Sequence, residues 1–132
     1  MTSEERLFEK VRAHCLGLLG ATEDLPFDEH TLTFKVGGKI FCVVDASEFQ
    51  GCGLKCDPER VPELRASYDG IRSGKYLHPK HWNLVVPSPL ADVPWDVVQS
   101  LIDHSHEMVW KGLTKKARLA IQASSHGSRL PS

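Results

Sequence analysis

The chain has 132 residues, 41% of them hydrophobic and 25% charged, with a formal net charge of −1. That length supports one hydrophobic core and not two, and no apolar run reaches the length needed to span a bilayer. A near-neutral total supplies no bulk attraction for a polyanion, so any anionic partner must be held by a local patch.

The opening "MTSEERLFEK" lacks a basic-then-apolar leader, so a cytoplasmic location is expected. Thr2 and Glu5 have capping-box spacing. Leu7, Phe8, Val11, Cys15, Leu18 and Leu19 share one face of a helix that Gly20 is expected to end. "ATEDLPFDEH" reads as a connector. "TLTFKV" and "KIFCVVD" are strands joined by Gly37-Gly38, a two-residue hairpin turn. "GLKC" is a shorter third strand. "DPERVPELRASY" is a helix that Pro62 interrupts, unless the regular helix begins there. "HWNLVV" is the fourth strand. In "VPWDVVQSLIDHSHEMVWKGL", the longest helix, Val97, Val98, Leu101, Ile102, Ser105, Met108 and Val109 form the expected buried face. Thr114 caps a last helix, "KKARLAIQA". The order α-β-β-β-α-β-α-α implies a two-layer α+β domain over residues 1–123, with helices on one face of a mostly antiparallel sheet. "SSHGSRLPS", Ser124–Ser132, reads as a disordered tail.

Charge is unevenly distributed. Residues 1–69 carry 8 basic and 13 acidic groups, whereas residues 70–132 carry 8 basic and 4 acidic groups. No acid lies between Asp69 and Asp92, and none follows Glu107. These acid-free basic stretches point to an anionic partner or to solvated surface. Cys15, Cys42, Cys52 and Cys56 lack the spacing of a zinc knuckle and read as small buried thiols. Asp103 and Glu107 lie four apart on a helix but have no histidine at ligand spacing on their face, so no metal or cofactor is expected. No nucleophile elbow or phosphate-binding glycine loop is present.

The segments "TEDLPF" (Thr22–Phe27), "FKVGGKIF" (Phe34–Phe41), "LKCDPE" (Leu54–Glu59), "KHWN" (Lys80–Asn83), "LIDHSHEMV" (Leu101–Val109) and "LTKKAR" (Leu113–Arg118) occur in one order over residues 4–120. Together they resemble the MmcQ/YjbR family. The resemblance implies a CyaY-like α+β fold and DNA binding through a double-wing arrangement of β-elements. Thr114 stands where that family usually has proline, and His106 where tyrosine is common.

Trp82 lies between His81 and Asn83, so on a strand it points opposite to both. Trp82 is expected in the core. His81 and Asn83 are then either polar fixtures of the other face or ligand-facing donors beside Lys80. Lys55 can join them if its strand neighbours "HWNLVV". Lys115 and Lys116 stand at a helix start, where free N–H groups favour anions. The expected nucleic-acid surface is therefore Lys55, Lys80, His81, Asn83, Lys115 and Lys116, with Arg72 and Lys75 as peripheral charges. The leading expectation is a small non-enzymatic DNA-binding protein. The alternatives are a small-ligand or protein interaction domain on the same sheet face, and an enzyme in which His81 moves a proton.

Overall fold

A computed structural model describes residues 1–124. The elements are α1 (Ser3–Leu16), β1 (Thr22–Asp24), β2 (Thr31–Val36), β3 (Lys39–Asp45), β4 (Cys52–Lys55), α2 (Val61–Ser67), β5 (Ile71–Arg72), β6 (Trp82–Val85), α3 (Trp95–Lys111) and α4 (Lys115–Ser124). The strands form one sheet in the order β1-β2-β3-β4-β6-β5, and every pairing is antiparallel.

Local chemistry explains most of these boundaries. Thr2 Oγ1 accepts a hydrogen bond from the Glu5 amide at 3.1 Å, which starts α1. The helix stops at Gly17, three residues earlier than expected, while Leu18 and Leu19 remain buried in the following turn. Gly37 and Gly38 have φ of 59° and 79° and join β2 directly to β3, as the paired glycines imply. A register shift beyond Phe34 makes Phe41 an extra residue in β3, and its carbonyl accepts the Ser105 hydroxyl. Pro62 falls in the first turn of α2, where its missing N–H costs no helical bond. Thr114 Oγ1 accepts from the Ala117 amide at 3.0 Å and caps α4. Ser124, grouped with the tail from its composition, is the last residue of α4. The rest of the expected tail lies outside the described residues.

The core forms between one face of the sheet and the helices. Phe34, Cys42, Leu54 and Val85 meet Leu7, Val11 and Cys15 of α1 and Val98, Leu101, Ile102 and Val109 of α3. Leu64 of α2 and Ala117 and Ile121 of α4 pack against the same cluster, so the helices share one face, as the element order implies. On α3, His106 and Trp110 occupy the buried face in place of the expected Val97 and Met108, which are only partly covered. All four cysteines are buried and unbridged. Burial pushes the Cys42 thiol well above its ordinary range. Among the described residues, no helix is long and apolar enough to cross a membrane. β1 and β5 were not foreseen: three and two residues long, they form the two edges of the sheet.

Candidate nucleic-acid interface

The register of β6 decides which side chains are available. Asn83 pairs with Leu54, Leu84 with Gly53, and Trp82 with Lys55. Leu54 faces the helices, so Asn83 does too, and it is 2% exposed. The Arg65 guanidinium satisfies it: Nε donates to Asn83 Oδ1 at 2.8 Å, and Nη2 donates to the carbonyls of Pro79 at 2.8 Å and Trp82 at 3.2 Å. Asn83 is therefore a buried anchor and not a ligand-facing donor, which corrects the expectation. Trp82 is corrected with it. The ring lies on the face away from the helices, partly exposed, beside Lys55. Burying a lone amide costs several kcal/mol (about 1–3 in mutational series), and the Arg65 fork removes that penalty.

The segment between β5 and β6 folds back over this outer face. Leu77 sits so close to the sheet that a Cβ on Gly53 would lie 3.0 Å from its Cδ1, and one on Gly74 would lie 2.6 Å from it. Beside Leu77 opens a cleft of about 460 Å³, lined by Phe27, Thr31, Ile40, Val43, Lys75, Tyr76, Leu77, His78 and Trp82. No acidic side chain lines it. Tyr76 is 93% exposed and holds φ of 68°, a conformation a bulky side chain rarely adopts. Lys75 Nζ lies 5.3 Å from the Tyr76 ring centroid. His78 and His81 pack with centroids 4.8 Å apart, and the Lys80 amide donates to His78 Nδ1 at 3.2 Å. Lys80 and His81 are exposed at this end of the face. Past Leu77 the surface continues into a second hollow that includes Asp45 and Gln50.

The expected surface therefore divides. Lys55, Lys80 and His81 gather around Trp82, and Lys75, assigned a peripheral role, joins them at the cleft wall. Lys115 and Lys116 are exposed on α4 in the helix layer, off the open sheet face. Arg72, on β5, lines a separate hollow of about 710 Å³ with Glu4, Glu5 and Glu48, so its charge faces carboxylates. Sequence reasoning placed Trp82 in the core and left Tyr76 and Phe27 out of the expected surface, whereas all three line the cleft. The "KYLHPKHW" run carried that signal, but which face of β6 turns outward depends on Arg65, distant in sequence.

The histidine-rich stretch of α3 serves the scaffold. His104 Nε2 accepts from the Asp57 amide at 3.1 Å. Ser105 Oγ accepts from the Lys55 amide at 2.8 Å. His106 Nε2 meets the Leu19 carbonyl at 2.8 Å, which makes it the protonated nitrogen, while Nδ1 is buried without a partner. Burial holds both His104 and His106 below the usual histidine range. Asp103 pairs with His14 at 2.7 Å and Glu107 with Lys111 at 2.8 Å. Among the described residues, no group of three histidine, cysteine or carboxylate side chains is placed to hold a metal.

Comparison with known proteins agrees with this architecture. The Deinococcus radiodurans protein DR2400, which carries a DUF419 domain, superposes with a TM-score of 0.78 at 32% identity, covering 92% of this chain and 90% of its own. A Pseudomonas syringae protein shares the fold at 16% identity with a TM-score of 0.59, covering 82% of this chain and 98% of its own. No curated protein matches. The YjbR family model matches residues 16–108, and the chain belongs to the YjbR family.

Proposed function

We propose that the protein is a small, non-enzymatic DNA-binding protein that contacts phosphates through a local basic rim on the open face of its sheet. The observation that supports this most is a cleft with no acidic lining that Lys75 and His78 line directly, with Lys55 paired to Trp82 at its wall and the exposed Lys80 and His81 just before Trp82 in the chain. Its cations lie on a surface that the helices leave uncovered. The family resemblance favours the same ligand. His81 suits a rim contact better than proton transfer. Its ring lies against His78, and among the described residues it makes no side-chain hydrogen bond, whereas a working acid–base imidazole is held by a partner on its second nitrogen.

The test is a titration of labelled duplex and single-stranded DNA at several salt concentrations, because phosphate contacts release counterions and make affinity fall with salt. Changing Lys55, Lys75 and Lys80 together to Ala should weaken binding for all sequences alike and reduce the log–log salt slope by about one unit per lost contact. The Lys115→Ala, Lys116→Ala double variant should retain most binding. A wild-type protein that binds no DNA at low salt defeats the proposal. A second reading, a small-ligand or protein interaction domain on the same face, draws on the apolar floor of Ile40, Val43 and Leu77. It requires an affinity that salt barely changes.

A further inference from the structure

We infer that the cleft takes an unpaired base, so that the nucleic acid recognised is single-stranded. This rests on the phosphate-binding reading above and adds the part of the ligand that the rim lysines cannot read. A rim of cations alone binds any polyanion. Trp82, Tyr76 and Phe27 line a hollow of about 460 Å³, within the range that holds small organic ligands. Phe27 is 69% and Tyr76 93% exposed, so neither ring is spent on the core.

The position of Tyr76 is built. A left-handed backbone is unfavourable at a bulky residue and persists only where the surroundings fix it. Leu77, wedged onto Gly53 and Gly74, supplies that fixture one residue away. The wedge holds the segment on the sheet, and Tyr76 beside it stays exposed while lining the cleft.

Chemistry then selects the occupant. A base in a duplex has both faces covered by its neighbours and cannot enter a hollow. An unpaired base can stack on Trp82 or Tyr76, and its flanking phosphates fall toward Lys55, Lys75 and Lys80. Stacking tolerates every base, because each has a π-face, so weak sequence preference is expected. DNA and RNA share this chemistry, and the experiment carries both.

The full chain is titrated at one low salt concentration with four probes of equal length: a labelled deoxythymidine strand, the matching uridine strand, a strand of the same phosphate count with abasic sites, and a duplex. The single strands should bind about tenfold or more tightly than the abasic strand and the duplex. Whichever of the DNA and RNA strands binds more tightly identifies the source. Tyr76→Ala cannot disturb the core from so exposed a position, and it should lose several-fold in single-strand affinity with duplex affinity unchanged. Trp82→Ala should do the same, and Trp82→Phe, which keeps a ring and the packing, should restore most of it. Equal binding of base-bearing, abasic and duplex probes overturns this inference and leaves the phosphate reading standing. Absence of binding to all four overturns both.

Discussion

Arg65 shows how one side chain can decide the face of a strand. Its guanidinium reaches the buried Asn83 amide, the carbonyl of Pro79 in the segment before β6 and that of Trp82, the first residue of β6. The alternation in "HWNLVV" is compatible with either orientation, since Trp82 and Leu84 compete with Asn83 and Val85 for the core. Transfer free energy alone favours tryptophan inside. The fork favours asparagine inside, because it satisfies the buried amide and ties the approach segment down at once. Arg65→Ala should therefore cost about 2 kcal/mol in urea unfolding, mostly the penalty of leaving Asn83 Oδ1 unpaired. Arg65→Lys should recover little, since an ammonium cannot span the three acceptors with a planar fork. Asn83→Ala should lower stability too, and should leave base discrimination untouched. A change in discrimination with unchanged stability would return Asn83 to the binding surface. The candidate site was legible in part, in that Lys55, Lys80 and His81 were expected on it and Lys75 at its margin. Its geometry was not, because a contact eighteen residues away in the chain sets it.

At the scale of elements, periodicity was informative where a segment is long. α1, the β2–β3 hairpin and α3 each repeat their pattern often enough to be read. β1 and β5 do not, since "TED" and "IR" carry no period and exist only because β2 and β6 offer them an edge to pair with. The hairpin offers a test of how turn and helix layer are coupled. Both glycines have positive φ, yet only Gly37 is crowded: a Cβ there would lie 2.7 Å from Leu113 Cδ1, whereas nothing approaches Gly38 within 4 Å. Gly38→Ala should cost about 1–2 kcal/mol for the left-handed backbone alone. Gly37→Ala should cost more, because Leu113 must move and Leu113 leads into α4. A double-mutant cycle with Leu113→Ala should recover the excess. Equal costs at the two glycines would show that Leu113 yields freely.

For the whole molecule, acidity should act through buried histidine. His106 is fully buried and has one nitrogen without a partner. Desolvation depresses its folded-state pKa, and the Leu19 hydrogen bond and the charge of Asp103 only partly oppose this. The unfolded chain then takes up the proton first. Stability should be complete above about pH 6.5, the unfolded value, and should fall as pH drops below it, through the folded-state pKa. His104, also depressed by burial, adds in the same direction. Carboxylates held low by hydrogen bonds, such as Asp28 and Asp92, contribute only at more acidic pH. Melting temperature measured against pH should show the decline in the wild type and a shallower one in His106→Phe. An identical slope in the variant would remove His106 as the cause.

The two short strands that escaped notice also govern how the sheet meets other chains. A sheet edge is a row of unpaired amides and carbonyls that can template a further strand. Here one edge is three residues long and the other two. The longer carries Glu23, engaged by Arg12, and Asp24, engaged by Lys35. An incoming extended segment finds few backbone partners there, and the side chains beside them are already committed to ion pairs. The cleft-bearing outer face can thus remain open to a ligand without either border inviting strand-to-strand polymerisation.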